Sequence, residues 1–435
     1  MDRARYVEEY AAHLLQNHRD RQCDAAFHAQ SVQGRAASLA GESLSTLSQS
    51  LLLIRSDGLD QAKHRVPRVL QKTKALENVI RPALHIQMCW MHGYDVCFHV
   101  ADPDMRKDTV VHVETLARGL SRIYDKLQSL PRHMVLILDN TSSNNKNQLM
   151  LKFWLKLQML KVLETAYVAF PIKGHAVVRT SNATFDTAAE LTSIYDDFMK
   201  KAEFESGTLF RGAEKLDEAA DWLSWMEEVP LKLALITGPK APHGFRAMNR
   251  KHVKPADWEA AKSVVATGDD SSPHPDDLML VVHQYMSDPL PFQIRWLFSA
   301  AEVSALRRTL RRQPCGLHPR RSISRKDREE IERQADLAYQ RAAINKNALD
   351  FLSGWIKQTL RREPRPPEYS FLRHGYDQHE AEEAFVRNPH RAGPPRMVRV
   401  LQVGQAAPAQ EDDPDAGLDN EPCVIQPEAA ARGGL

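Results

Sequence analysis

The chain has 435 residues, 43% of them apolar and 26% charged, with a formal net charge of +2. That balance is of an ordinary globular protein with room for two or three domains, and the net charge by itself names no partner class. Five scattered cysteines argue against a disulfide framework and favour a reducing compartment. The first residues carry charges at intervals, as a signal peptide would not, and no apolar run is long enough to span a bilayer. The composition therefore predicts an intracellular protein with no membrane partner.

Residues 3–35 read as a helix with a partial apolar stripe of Tyr6, Tyr10, Leu14 and Leu15. His13, His18, Cys23 and His28 are spaced by five, which rotates each about 140° from the last, so one helix cannot bring them together on a metal. Residues 51–54, Leu-Leu-Leu-Ile, read as a buried strand that runs into Arg55-Ser56-Asp57-Gly58. Asp57 thus stands at a strand exit, beside a glycine that lets the backbone turn.

Residues 82–91 and 94–100 form an expected hairpin around His92-Gly93. Alternation places His85, Gln87 and Cys89 on one face of its first strand and Asp95, Cys97 and His99 on one face of its second. Two histidines and two cysteines could bind zinc, but the spacing fits no standard module and buried cysteine is the commoner reading. Residues 108–127 then read as a helix with Val111, Leu116, Leu120, Ile123 and Leu127 inward.

The central stretch is Val135-Leu136-Ile137-Leu138-Asp139-Asn140-Thr141. Its apolar run predicts a buried strand, and Asp139 sits where open α/β folds place their chemistry, at the strand exit before a helix over 148–163. A purely capping Asp139 is the plain alternative. Lys152, Lys156 and Lys161 suggest a wet edge on that helix. Residues 166–172 read as a fifth strand and 184–204 as a helix opening with Asp186 and Glu190. The order from residue 51 implies a mixed sheet with helices on its faces, within about 150 residues.

Beyond residue 205 a helix is expected over 209–228 with Trp222, Trp225 and Met226 inward, then strands near 231–236 and 278–285, a basic turn over 243–252 and an apolar segment at 292–298. Arg307, Arg308, Arg311, Arg312, Arg320, Arg321, Arg325 and Lys326 form the densest basic stretch. It could neutralise phosphates or be a solvated helix face, and no interleaved aromatics support base stacking. Residues 325–341 read as a mixed-charge helix, and the end, from about 387, as disordered.

Three segments carry a resemblance: residues 56–63 (Ser-Asp-Gly-Leu-Asp-Gln-Ala-Lys), Leu138-Asp139-Asn140-Thr141 with Asn145-Lys146-Asn147, and Gly174-His175. Over roughly residues 20–300 the chain resembles an uncharacterised eukaryotic, transposase-derived domain family that is itself similar to the ribonuclease H-like core of DDE transposases and integrases. The resemblance implies a ribonuclease H-like mixed five-stranded sheet with helices on both faces. Asp57 and Asp139 would lie side by side as metal ligands, and Asp186 or Glu190 would be the third acid of a two-Mg²⁺ nuclease. Lys63, Lys146 and the basic stretch would meet DNA. The family usually reads Gly-His-Thr-His-Glu-Asp-Ile-Asp after the fifth strand. Here it reads Gly174-His175-Ala176-Val177-Val178-Arg179-Thr180-Ser181, which lacks those acids.

The expectation is therefore a catalytically degenerate, transposase-derived protein that binds nucleic acid. An active Mg²⁺-dependent nuclease and a scaffold without nucleic acid are the alternatives. Mg²⁺ is the cofactor only if the site is active. The nucleus is favoured over the cytoplasm, and the oligomeric state stays open. The expected divisions are a helical segment over 1–50, the ribonuclease H-like domain over 51–205, a small α+β extension over 206–300, a basic helical segment over 301–386 and a tail over 387–435.

Overall fold

The computed structural model describes residues 3–40, 50–59, 64–68, 80–106, 108–138, 148–170, 185–202, 204, 207–231, 242–261, 274–320, 323–358 and 367–373. Its strands are β1 Leu51–Gly58, β2 His85–Met91, β3 Asp95–Ala101, β4 His133–Leu138, β5 Thr165–Ala169, β6 Phe210–Leu216, β7 Gly244–Asn249, β8 Leu278–His283 and β9 Gln293–Phe298. The helices are α1 Arg3–Leu39, α2 Thr109–Leu127, α3 Gln148–Met159, α4 Ala188–Lys201, α5 Trp222–Glu227, α6 Pro255–Ala261, α7 Ala300–Thr309, α8 Arg325–Gln340 and α9 Lys346–Gln358.

All nine strands belong to one sheet, in the order β6-β3-β2-β1-β4-β5-β7-β8-β9. At its centre β1 runs parallel to β4 and β4 parallel to β5, while β2 is antiparallel to both β1 and β3. β6 adds in parallel beside β3, and β7, β8 and β9 continue antiparallel from β5.

The β1 run is buried on both faces, as the continuous apolar stretch dictates. Leu52 and Ile54 face one core with Leu136, Leu138 and the inner stripes of α2 and α3. Leu51 and Leu53 face the other, where Cys23 and Phe27 of α1 cover Val135, Ile137 and Tyr167. On that second face α4 lays Ala188, Leu191, Tyr195 and Met199 over Met88, Val96, Phe98 and Val100 of β2 and β3. The fold is a mixed α/β sheet with helices on both sides.

Local chemistry fixes the element ends. Asp108 caps α2, its carboxylate accepting from the amides of Val110 at 3.0 Å and Val111 at 3.4 Å. The hairpin turns through Gly93 at φ 81°, where a side chain would be strained and its Cβ would stand 3.2 Å from Arg35 Cβ. Ser299 and Glu302 close a reciprocal capping box on α7.

Four expectations need correction. The sheet has nine strands where five were expected, because strands from 206–300 extend the same sheet at both edges. Residues 210–216, expected as helix, form β6: pairing with the open edge of β3 outweighs local helix propensity. Residues 244–249, expected as a basic turn, form β7, with Phe245 and Ala247 on one core and Met248 on another. Lys156 is on no wet edge. It is fully buried and donates to the Trp225 carbonyl and to Glu228 Oε2, both at 2.7 Å. Burial lowers its pKa to about 8. The expected strand over 231–236, past Leu231, and the tail from 387 lie outside the described residues. No helix of the described residues is long and apolar enough to cross a membrane.

Candidate functional site

β1 and β4 leave the sheet centre side by side, with Ser56 paired to Leu138 at the last described position of β4. Asp57 and Asp139 are the residues that follow that pair in the chain. Asp57 remains within β1, opposite Met88 of β2, and its Oδ1 accepts the Gly58 amide at 2.7 Å. It is half-buried and by strand alternation faces the side covered by α1. Asp139 lies outside the described residues, as do Lys63, Lys146, the segment 171–184 with Gly174, His175 and Arg179, and Arg321.

The helix expected to bring the third acid is α4. Its cap is Thr187, whose hydroxyl accepts from the Glu190 amide at 3.1 Å, while Glu190 Oε2 accepts the Asp186 amide at 2.7 Å. Asp186 Oδ2 accepts from the Asn345 side-chain amide at the start of α9. Burial raises the Asp186 pKa, against the opposing Asn345 bond. Both acids thus hold the helix start and its neighbour, and α4 itself packs chiefly on β6 and β3. Among the described residues, no group of three or more potential metal ligands includes Asp57.

On Asp57's face, α1 is fastened to β1 by a two-point ion pair: Arg55 reaches Asp24 with Nη2–Oδ2 at 2.7 Å and Nε–Oδ1 at 3.3 Å. On the opposite face the same sheet end carries a polar row. Ser56 donates to the Met88 carbonyl at 3.0 Å, Gln87 donates to Ser56 at 3.0 Å, and Gln87 Nε2 stands 3.4 Å from His112 Nε2.

The basic segment is largely committed within the chain. Arg307 donates to the Met159 carbonyl at 2.6 Å, Arg311 to Glu228, Arg312 to the Leu372 carbonyl at 3.3 Å, and Arg320 to both oxygens of Asp104 at 2.9 and 2.8 Å. Arg325 is exposed and pairs with Glu329 one helical turn on, at 2.7 Å. Arg308 and Lys326 are exposed.

A second constellation is hidden from the sequence, because β6 reads there as helix. Glu214 of β6 pairs in register with His99 of β3, and Gly212 with Cys97. Arg122 of α2 bridges Asp95 (both contacts 2.8 Å) and Glu214 Oε1 (2.8 Å), and Arg118 binds Glu114 at 2.7 Å. Burial pushes the Asp95 carboxyl up, with Arg122 opposing. For Glu214 burial is outweighed by His99, Arg122 and Arg118, which together hold it at about 2. The face assignments of the hairpin stand: Cys89 opposes Cys97, and Gln87 opposes His99.

No curated protein and no solved structure matches the chain. Over residues 74–258 the chain is similar to a family described as a domain of unknown function, DUF7869.

Proposed function

We propose that the chain is a transposase-derived, ribonuclease H-like protein in which two-metal nuclease chemistry is lost and the sheet is kept as a binding platform. The observation that carries this reading is the central strand order β3-β2-β1-β4-β5 with β2 alone reversed. That order and polarity support a ribonuclease H-like reading of the sheet centre. The Ser56–Leu138 pair supports an active-site position at Asp57 and Asp139, which follow it in two neighbouring parallel strands.

The described residues do not supply a two-Mg²⁺ set. Such a set needs a third carboxylate beside the strand exits, and Asp186 and Glu190 are engaged at the start of α4. No step through metal is therefore derived. The loss of the acids after Gly174-His175 in sequence supports the same conclusion.

Within the basic segment Arg308 and Lys326 are exposed and Arg325 is held only by its exposed pair with Glu329, so these three are the expected cations left to meet phosphate; the other described ones bind carbonyls and carboxylates at less exposed sites of their own chain. This favours a scaffold over a nucleic-acid binder working through that segment. The test is a nicking assay in Mg²⁺ or Mn²⁺ on wild type and Asp57→Ala, run beside a salt titration of DNA binding. The proposal predicts no nicking above the Asp57→Ala background. It also predicts a slope of log K on log salt no steeper than about −3, the value for three phosphate contacts. A slope of about −6 or steeper would restore the basic segment as a DNA interface.

A further inference from the structure

We propose that Cys97, His99 and Glu214 form a binding site for Zn²⁺ at the β3–β6 edge. Their ligand atoms, one sulfur, one imidazole nitrogen and one carboxylate oxygen, all lie within 4.8 Å of one another. Ligand atoms around a tetrahedral zinc stand about 3–4 Å apart, given metal–ligand distances of about 2.0–2.3 Å, so side-chain adjustments of under an ångström or so close the site. The strand register makes the grouping: Cys97 and His99 are two apart on one face of β3, and parallel pairing puts Glu214 beside His99.

The independent observation is His99. It is 1% exposed; its Nδ1 makes no hydrogen bond, and its Nε2 has only the Glu214 carboxylate beside it. Its Nε2 lies 2.9 Å from Glu214 Oε1 without the alignment of one. A buried imidazole ordinarily finds a partner for at least one nitrogen, and a metal ion is a partner for the nitrogen that carries no proton. Cys97 is also poorly engaged, with only a 3.6 Å contact from Sγ to the Phe98 carbonyl. Glu214 Oε1 takes Arg122, and Oε2 makes no hydrogen bond among the described residues. A ligating carboxylate held by a guanidinium is an ordinary outer-shell arrangement.

Charge balance points the same way. Asp95, Glu114 and Glu214 face Arg118 and Arg122, which leaves one negative charge in excess. Burial holds the Cys97 thiol protonated on its own, and a Zn²⁺ ion that displaces that proton would meet two negative charges. The donor set of thiolate, imidazole and carboxylate selects zinc over Mg²⁺ or Ca²⁺. Three protein ligands leave a fourth position open, and Glu214, with its side chain 30% exposed, gives the entry from solvent. The site lies on the sheet face opposite Asp57, since Ser56, Cys89 and Cys97 share one face by register and Asp57 the other. Its test is therefore independent of the nuclease question.

The experiment is a Co²⁺ titration of the full-length, chelator-stripped protein followed by Zn²⁺ displacement. The expected result is one Co²⁺ per chain with a thiolate-to-cobalt charge-transfer band, lost in Cys97→Ser and kept in Cys23→Ser and Cys315→Ser. Glu214→Gln should weaken Zn²⁺ binding by about tenfold or more. Zinc-edge X-ray absorption on the loaded wild type needs no variant to fold and should show one sulfur in the coordination shell. No band in the wild type, a band that survives Cys97→Ser, or a shell with no sulfur or several would overturn the proposal.

Discussion

Burial strips His283 of its proton. The residue closes β8 at 2% exposure, against Tyr167 and near Arg246, and burial with that guanidinium lowers its pKa to about 3. An unfolded imidazole titrates near 6.5, so between pH 6.5 and 3 the unfolded chain binds the extra proton. Stability contributed by this group is present above pH 6.5 and is lost as pH falls through that window. In urea unfolding, wild type should lose about 1–3 kcal/mol more than His283→Gln between pH 6.5 and 4; equal losses would show that His283 does not titrate this way. The sequence places residues 278–285 in a strand, yet nothing local tells which core His283 enters. The same limit applies to Lys156. Its spacing with Lys152 suggests a wet stripe, and only the packing of α5 on α3, through Trp225 and Glu228, explains its burial. Asp57 is more legible. A carboxylate after an apolar run is visible in one dimension, and the structure moves it only from the strand exit to the strand's penultimate position.

Glu114 shows how elements are joined here. From α2 it accepts from Arg118 at 2.7 Å, the Ala220 amide at 3.0 Å and Trp222 Nε1 at 2.8 Å, and also from the Tyr369 hydroxyl. One buried carboxylate thus ties α2 to the start of α5 and to the 367–373 segment. Removing it strands donors that water cannot reach, and losing one partner of a buried charge costs more than an average hydrogen bond. Glu114→Ala should lower unfolding stability by about 3 kcal/mol or more, read from the shift in denaturant midpoint. A change under about 1 kcal/mol would mean that the network is replaceable. Helices with local grammar are readable: Asp108 stands before an apolar stripe in α2, Ser324 before α8, and Trp222 and Trp225 point inward on α5. β6 and β7 are not. Phe210–Leu216 carries Arg, Glu and Lys between its apolar residues, and only the unpaired edge of β3 makes it a strand. With β6 hidden, Glu214 is hidden too, and so is the grouping of Cys97 and His99 around a carboxylate.

At the scale of the molecule, one sheet runs through residues that the sequence divides at 205. Its centre, β3-β2-β1-β4-β5, is assembled from segments whose order and apolar character are plain in the chain. Its edges are assembled from segments that take their form only by pairing. The sheet centre holds Asp57 near the end of β1, beside the last described residue of β4, while α4 spends Asp186 and Glu190 on its own start and on Asn345. On the reading proposed above, a sheet with no third acid beside Asp57 should leave DNA uncut. The direct measurement is nicking of supercoiled DNA by the full-length protein in Mn²⁺, with Asp57→Ala as background. Equal, baseline nicking by both proteins is the result the proposed function requires. Metal-dependent nicking by the wild type that disappears in Asp57→Ala would contradict it and make the chain an active nuclease.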